Sequence, residues 1–159
     1  MYQEENTFLN HRDSDIVDAS TRSRMMSAVR RTDTLPEMAI RRLLTDSGVH
    51  YRVKNKRLPG SPDIANRSQR WAIFVNGCFW HGHKFCTKTK SDNQPRVPKS
   101  RPEFWSAKLR ANRSRDARKS WDLRRLGFRV LIVWECDLKR PGALVSRLQR
   151  FTIPRHDHD

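Results

Sequence analysis

Two short apolar runs, at 71–75 and 128–134, stand out from an otherwise polar chain. Both runs are rich in aromatic and β-branched residues and show little alternation with polar residues. This pattern is typical of strands that are buried on both faces of a sheet. A weakly alternating segment at 49–54 predicts an edge strand, and the turn at 58–62 leads into a further strand that begins near Asp63.

Helical spacing of apolar residues, together with start and stop signals, predicts four helices. A basic segment at 21–31 fits a short helix capped by Ser20 or Thr21, which serves either as an arm that grips DNA or as a packing helix. A long helix is predicted at 102–126 and a last one at 141–151. We expect the apolar face of the long helix to comprise Phe104, Trp105, Leu109, Trp121 and Leu126.

The second helix has the clearest start signal. Thr34 and Glu37 have the spacing of a capping box, Pro36 fits the first turn, and Gly48 ends the pattern. Glu37 therefore has a sufficient structural explanation as part of the cap. The predicted apolar stripe of this helix comprises Leu35, Met38, Ala39, Leu43 and Leu44.

The predicted order of elements is helix, helix, three strands, long helix, strand and helix. Strands interspersed with helices at this length predict a single α/β domain, with a sheet of mixed strand direction packed against helices. We place the domain at 19–153, after a mobile acidic tail at 1–18 and before a polar tail at 154–159.

The charge of the chain points to a polyanionic partner. The 159 residues carry a formal net charge of +16, although residues 1–18 are acidic. Such an excess of positive charge favours nucleic acid as the partner, with salt-dependent binding. No apolar run approaches the roughly 20 residues of a membrane-spanning helix, so we expect no membrane association. Three cysteines, an odd number, argue against a disulfide framework and favour a reducing compartment, so we predict a cytoplasmic protein.

The stretch 76–86 carries the candidate chemistry. Cys78, His83 and Cys86 have the close spacing of a zinc half-site, and Cys136 follows the strand-like run at 128–134. These four residues predict a structural zinc site that uses every cysteine of the chain. By spacing alone, His81 is an alternative ligand, which would leave His83 spare; with His83 as the ligand, His81 is free for proton transfer.

Phe79 and Trp80 lie between the predicted metal ligands, in a tight turn. Two adjacent aromatic side chains in such a turn cannot both point into a core, so we expect at least one to be exposed. In a strongly basic protein, an exposed aromatic side chain suggests insertion between base pairs.

Two further groups suit work on a nucleic acid. If the strands beginning near Asp63 and ending at 75 are neighbours, the Asp63 carboxylate, a main-chain carbonyl and His81 would meet at one end of the sheet and suit Mg²⁺. Lys108 and Asn112 are four residues apart and share one side of the long helix, which is either a solvated charged face or a pair aimed at base edges.

Five motifs together resemble the very-short-patch repair (Vsr) endonucleases. They are Ser-Thr-Arg-Ser-Arg-Met-Met at 20–26, Leu-Pro-Gly-Ser-Pro-Asp at 58–63, Phe-Val-Asn-Gly-Cys-Phe-Trp-His at 74–81, Glu-Phe-Trp at 103–105 and Val-Leu-Ile-Val-Trp-Glu-Cys at 130–136. The resemblance runs from about 20 to 150. It implies a restriction-endonuclease-like fold with a structural zinc. It also implies Mg²⁺-dependent nicking of double-stranded DNA on the 5′ side of the thymine in a T:G mismatch, which arises from deaminated 5-methylcytosine.

The resemblance also assigns roles to single residues. It implies Asp63 as the catalytic metal ligand, His81 as the catalytic histidine and Glu37 as an acidic residue near the active site. The implied zinc ligands are Cys78, His83, Cys86 and Cys136, the intercalating wedges are Met26, Phe79 and Trp80, and the readers of the mismatched pair are Lys108 and Asn112. A MutL-type repair factor as a possible partner and a monomeric state follow from the same resemblance.

The sequence departs from the family pattern beside the candidate active site. Val75 and Asn76 stand where the best-known pattern has threonine and histidine, and the first two cysteines are one residue further apart. Val75 still offers a main-chain carbonyl to Mg²⁺. Asn76 can donate a hydrogen bond to a phosphate but cannot carry a proton between groups, which leaves His81 as the histidine for acid–base chemistry.

Overall fold

The structure, a computed structural model, describes residues 32–86 and 97–154 together with Asp18, Ser20, Thr21 and Arg24. The described helices are α1 (Leu35–Asp46), α2 (Pro102–Arg125) and α3 (Pro141–Thr152). The described strands are β1 (Ile64–Asn66), β2 (Trp71–Asn76) and β3 (Arg129–Trp134), and a 3-10 turn at Glu135–Lys139 follows β3. The predicted α/β class and the two apolar strands are confirmed: β2 is buried at most positions, whereas β3 is half-buried except at Val133.

The three described strands form one mixed sheet in the order β1-β2-β3. β1 runs antiparallel to β2, with Ile64 opposite Ile73, and β2 runs parallel to β3, with Asn76 opposite Trp134. The carboxyl ends of β2 and β3 therefore lie at the same end of the sheet as the first residue of β1. We call this end of the sheet the catalytic edge, because Asp63 immediately precedes β1 there.

The predicted edge strand at 49–54 is wrong. That segment makes a single antiparallel bridge, between Arg52 and Ala65, in place of a ladder. Beyond this bridge, the Asn55 side chain bonds to main-chain carbonyls of Arg52 and Pro62, so the backbone turns away from β1. The segment is a loop that is tied to the sheet.

The sheet is covered on both faces, which explains why β2 is apolar from Trp71 to Val75. On one face, Trp71 and Ile73 pack with residues of α1 and α3, including Ile40, Leu44 and Leu148. The other face is a smaller cluster of Ala65, Ala72, Phe74 and Leu123, in which Leu123 is contributed by α2. Burial of successive residues on opposite faces requires apolar side chains at every position of the strand.

Helix α1 begins as predicted, but its buried face differs from the predicted stripe. Thr34 Oγ1 accepts a hydrogen bond from the Glu37 main-chain N–H at 3.4 Å, which caps the helix. Ile40, which the predicted stripe omitted, is fully buried, whereas Leu35 and Met38 are 78% and 43% exposed. The helix meets the core along Glu37, Ile40 and Leu44, a line set by how the helix crosses the sheet.

Helix α2 has the predicted bounds, but its predicted apolar face is largely wrong. Phe104, Trp121 and Leu126 are exposed, and the buried positions include Leu109 and Leu123. A helix of this length extends for about 36 Å, whereas a six-residue strand extends for about 20 Å. Only part of α2 can therefore lie on the sheet, and its first half is left to contact the loop that follows β2.

The predicted helix at 21–31 lies mostly outside the described residues, as do the predicted tails. Of this region, Asp18 is described as the cap, in place of Ser20 or Thr21. Its carboxylate accepts hydrogen bonds from the Ser20 hydroxyl and from the Thr21 main-chain N–H, both at 2.7 Å. These bonds lower the pKa of Asp18 to about 2. None of the helices in the described ranges combines the length with the apolar composition that crossing a lipid bilayer requires.

The contrast between Ile40 and Leu35 gives a direct test of the observed core. We expect Ile40→Ala to lower the free energy of unfolding by roughly 2–5 kcal/mol, because it removes a fully buried side chain. Leu35→Ala, on the same helix, should change it by less than about 0.5 kcal/mol. Urea denaturation followed by circular dichroism measures both. Equal effects of the two substitutions would contradict this packing.

Candidate active site and metal cluster

Asp63 is held at the catalytic edge by the backbone of β2. The main-chain N–H of Val75 donates a hydrogen bond of 2.7 Å to Asp63 Oδ2. Among the described residues, no group donates to the other carboxylate oxygen. Burial and then the negative charge of Glu37 raise the pKa of Asp63 to about 6, against the opposing effects of the Val75 N–H, Arg41 and His81.

The surroundings of Asp63 fit a bound divalent cation. A half-buried carboxylate has one oxygen that no described residue contacts, and it is adjacent to the main chain of Val75. Carboxylate and main-chain carbonyl oxygens are the ligands that Mg²⁺ prefers. Positive charge placed at this carboxylate would offset the cost that burial imposes on its ionised form.

His81 is paired with a carboxylate that the sequence analysis missed. His81 Nδ1 lies 2.5 Å from Asp116 Oδ2, and Lys119 Nζ lies 3.4 Å from the other oxygen of Asp116. Burial acts to raise the pKa of Asp116, but the hydrogen bond and charge of His81, and then those of Lys119, lower it overall. An ionised Asp116 places the proton on Nδ1, which leaves Nε2 of His81 to accept another proton.

A pattern in the sequence would have revealed Asp116. It lies four residues after Asn112 and eight after Lys108, so these three residues continue one line along α2. Asn112 Nδ2 donates a hydrogen bond of 2.7 Å to the main-chain carbonyl of Trp80, and Arg115 donates to Asn112 Oδ1. In this structure the Asn112 amide therefore holds the loop that carries His81.

The loop passes close to α2 at Gly82, and the backbone conformation there favours glycine. Gly82 has a φ of +58°, and a Cβ atom there would lie 2.7 Å from Arg113 Nη1 and 3.5 Å from Leu109 Cβ. Glycine adopts this conformation without the steric penalty that other residues incur. Gly82 thus allows the residue before it, His81, to reach Asp116.

The predicted aromatic wedge is part of a larger cluster. Phe79 and Trp80 contact each other with ring centroids 4.9 Å apart, and both contact Trp105, which in turn contacts Phe104. Both Phe79 and Trp80 are half-buried, so the expectation that one would be exposed is wrong. Neighbouring rings from α2 cover them. The ammonium group of Lys108 lies over this aromatic cluster, 5.2 Å from the Trp105 ring centroid.

Glu37 and Asn76 occupy structural positions at the edges of the site. The Glu37 carboxylate accepts hydrogen bonds from the Asp33 main-chain N–H, the Thr34 hydroxyl and Arg41. Its charge reaches Asp63, as the raised pKa shows, while its oxygens are engaged in the helix cap. Asn76 is buried at the last position of β2, opposite Trp134. Met26 lies outside the described residues.

Four potential metal ligands converge where β2 and β3 end. The ligand atoms of Cys78, His83, Cys86 and Cys136 all lie within 4.8 Å of one another. Three thiols and one imidazole at this separation fit a tetrahedral zinc ion. The arrangement places His83 in this metal cluster and His81 at Asp116, which separates the two roles that sequence spacing left open.

The ring of His83 is fixed by its neighbours. It stacks on Trp134, with centroids 4.0 Å apart and an interplanar angle of 2°, and Nδ1 lies 3.5 Å from Cys136 Sγ. Burial lowers the pKa of His83, which favours the neutral imidazole that metal binding requires. Burial, followed by the neighbouring thiols, raises the pKa of Cys78 to about 12, so metal binding would release a proton there.

A paired histidine, a neighbouring carboxylate and a group of four potential metal ligands, in a chain of net charge +16, are the groups expected of a nuclease. The sequence model of the family described as DNA mismatch endonuclease Vsr matches residues 14–88. The DNA mismatch endonuclease Vsr of Escherichia coli is 44% identical over 143 residues, which cover 87% of each chain.

Two further relatives are named as nicking enzymes. The type II nicking enzyme V.XorIIP of Xanthomonas oryzae is 43% identical over 141 residues, 89% of this chain and 98% of that protein. V.NmeAIP of Neisseria meningitidis, also a type II nicking enzyme, is 37% identical over 137 residues, 86% of this chain and 93% of that protein. The chain belongs to the Vsr family of endonucleases.

The separate positions of the two histidines predict different effects on metal content. We expect the purified protein to hold one zinc ion, His83→Ala to lose it and His81→Ala to keep it. If the ion is present at about 100 times its dissociation constant, its loss removes roughly 3 kcal/mol of stability. At this size, that corresponds to a melting temperature about 6–12 °C lower. Mass spectrometry measures the zinc content, and thermal denaturation measures the melting temperature. If His81→Ala loses zinc and His83→Ala keeps it, His81 is the ligand instead of His83.

The raised pKa of Asp63 predicts a pH-dependent cost to stability. The folded state disfavours the ionised carboxylate, so the cost is fully present above about pH 6 and disappears below the ordinary pKa of 3.8. We expect Asp63→Asn to raise stability by roughly 1–3 kcal/mol at pH 8 in EDTA, with the gain shrinking towards pH 4. Denaturant titrations at both pH values measure this. Asp46→Asn, an exposed control, should show no such gain, and a pH-independent effect of Asp63→Asn would contradict the account.

Proposed function

We propose that this protein nicks one strand of double-stranded DNA on the 5′ side of the thymine in a T:G mismatch, and so starts very-short-patch repair. The observation that carries the proposal is the His81–Asp116 pair beside the aromatic loop, with His81 near enough to Asp63 for its charge to act on the pKa of that carboxylate. The positive net charge and the membership of the Vsr family support DNA as the substrate.

The His81–Asp116 pair supplies the general base. Asp116 holds Nδ1–H, so Nε2 of His81 takes a proton from the attacking water. As the water oxygen bonds to phosphorus, the phosphodiester bond to the leaving oxygen breaks, and that oxygen takes up a proton from solvent. Asp116 also stabilises the positive charge that then develops on the imidazole ring. With Asn76 in place of a second histidine, the proton transfers fall to His81, and we expect Asn76 to act only through hydrogen bonding.

Asp63 and the main-chain carbonyl of Val75 are the groups that would hold Mg²⁺. When bound, Mg²⁺ would supply positive charge to the scissile phosphate and the leaving oxygen. Glu37 contributes by its charge at a distance, since its oxygens are engaged in the cap of α1. We therefore propose that Glu37, which the family resemblance implies as an acidic residue near the active site, contributes to catalysis through its charge.

The aromatic cluster would supply mismatch selectivity. Phe79 and Trp80, together with Met26, would insert beside a T:G pair, because unstacking a mismatched step costs less than unstacking a paired one. Lys108 and Asn112 would then read the exposed base edges. Because the Asn112 amide is bound to Trp80 and Arg115, base reading requires it to exchange these partners for DNA. We propose that one copy acts alone and that a MutL-type factor follows it.

A second candidate is nicking without a mismatch requirement. The names of V.XorIIP and V.NmeAIP favour it, because they describe these relatives as type II nicking enzymes and do not mention a mismatch. A third, mismatch binding with little catalysis, is motivated by Val75 and Asn76. The three differ in the product they give from matched and mismatched duplexes.

A strand-specific nicking assay separates the candidates. A labelled duplex with one T:G pair in a cytosine-methylation context is incubated with Mg²⁺ or with EDTA, beside T:A and C:G controls. We expect a Mg²⁺-dependent nick 5′ to the thymine, on the T:G duplex only. Equal cleavage of all three duplexes would establish the second candidate, and binding without any nick would establish the third.

Variants of the same assay test the residue roles. Asp63→Ala and His81→Ala should abolish nicking, and Asp116→Asn should lower kcat roughly 100-fold while leaving DNA affinity nearly unchanged. Asp122→Asn, on the same helix, is the matched control and should nick at the wild-type rate. Retained nicking by Asp63→Ala would overturn the mechanism.

A further inference from the structure

A line of positive side chains follows the outer edge of β1, away from the aromatic cluster. Arg52, Lys54, Lys56, Arg57 and Arg67 line two adjoining hollows of about 480 and 310 Å³, which share Arg52 and Arg67. We call these five residues the cationic edge. All five are exposed. The proposed mechanism uses none of them.

The charges of the cationic edge are not neutralised within the described structure. No carboxylate in the described ranges forms an ion pair with any of the five residues, and no acidic residue occurs in the sequence from 47 to 62. Elsewhere, Arg41 and Arg147 are paired with carboxylates. Exposed like charges repel one another only weakly in water, but together they form a positive surface that attracts a polyanion.

The loop that carries these charges is anchored to the active site. Asn55 is buried and donates hydrogen bonds to the carbonyls of Arg52, at 2.9 Å, and Pro62, at 3.1 Å. Pro62 immediately precedes Asp63 in the chain. Two main-chain bonds, Lys56 N–H to Lys54 O and Leu58 N–H to Asn55 O, close the loop on itself. The cations are thus placed at a fixed position relative to the catalytic carboxylate.

The cationic edge also points towards the catalytic edge. Because Arg52 pairs antiparallel with Ala65, the chain leaves this bridge in the direction of the end of β1 at which Asp63 lies, and it then turns away from the strand at Lys54. Arg67, beyond the other end of β1, completes the line. Asp63 and Arg67 are four positions apart in the chain, a separation of about 13 Å in extended backbone, which is the rise of about four base pairs of duplex.

We propose that the cationic edge binds the sugar–phosphate backbone of the DNA beside the nick site, on the side of Asp63 away from the aromatic wedge. The proposal rests on the proposed function as a DNA-nicking enzyme. Exposed lysine and arginine side chains contact phosphates without reading bases. The expected contribution is therefore to affinity and to salt dependence, with no preference for T:G over T:A.

The test compares two triple variants that each remove three positive charges. One is Lys54→Ser/Lys56→Ser/Arg57→Ser in the cationic edge. The control is Lys139→Ser/Arg140→Ser/Arg150→Ser, three exposed residues at and beside α3. Fluorescence anisotropy in EDTA measures binding to T:G and T:A duplexes between about 50 and 200 mM salt, a range in which phosphate contacts are resolved. Circular dichroism establishes that each variant is folded.

We expect the slope of log Kd against log salt to fall by roughly 2–3 in the cationic-edge variant, since each lost phosphate contact accounts for about 0.9. The ratio of T:G to T:A affinity should not change, and the control should alter the slope by less than about 1. A change no larger than that of the control overturns the proposal, as does a loss of the T:G preference. If the triple variant does not fold, Lys54→Ser alone should lower the slope by about 0.9.

Binding in EDTA is independent of catalysis. A wild-type protein that binds duplex DNA but never nicks it would refute the proposed function and leave this test intact. A separate measurement uses vesicles of anionic phospholipid. If the wild-type protein binds them and the cationic-edge variant does not, while the salt dependence of duplex binding is the same for both, the charges serve a lipid surface and the proposal is overturned.

Discussion

The parallel pairing of β2 with β3 is the interaction on which the candidate site depends. It brings the ends of two buried strands, more than fifty residues apart in the chain, to the same edge of the sheet. Cys78 and its neighbours follow one strand and Cys136 follows the other, so a metal held by them would lock the two ends together. That cluster in turn fixes the short loop from which His81 reaches its carboxylate. Loss of the pairing would separate Cys136 from the other three potential metal ligands.

The position of Asp63 lowers the stability of the fold but suits the proposed chemistry. Its carboxylate is placed where burial and the charge of Glu37 oppose ionisation, and the Val75 N–H only partly compensates. The surrounding core, built on residues such as Trp71 and Ile40, can tolerate this local cost because it packs both faces of the sheet. The same cost favours a divalent cation at this carboxylate, because the cation would stabilise its ionised form. A bound cation could then also contact a phosphate of the DNA.

Helix α2 organises the other side of the site. Along this helix Lys108, Asn112 and Asp116 form a line, and the three residues contact, in turn, the Trp80 ring, the Trp80 main chain and the His81 side chain of one loop. A single rigid helix thus sets both the position of the aromatic cluster and the orientation of the His81 imidazole. This arrangement couples the proposed opening of the mismatch to the groups that perform the hydrolysis.

The sequence by itself determined the strands β2 and β3, the bounds of the helices and the grouping of the cysteines, because these depend on local pattern and spacing. Only the tertiary structure decided that His83 joins the cysteines while His81 turns to Asp116. The two histidines are two residues apart in a turn, and what separates them is a stacking contact with Trp134 and a carboxylate 35 residues away. Likewise, periodicity did not show that Ile40 is buried, since burial is set by the line along which a helix meets the sheet.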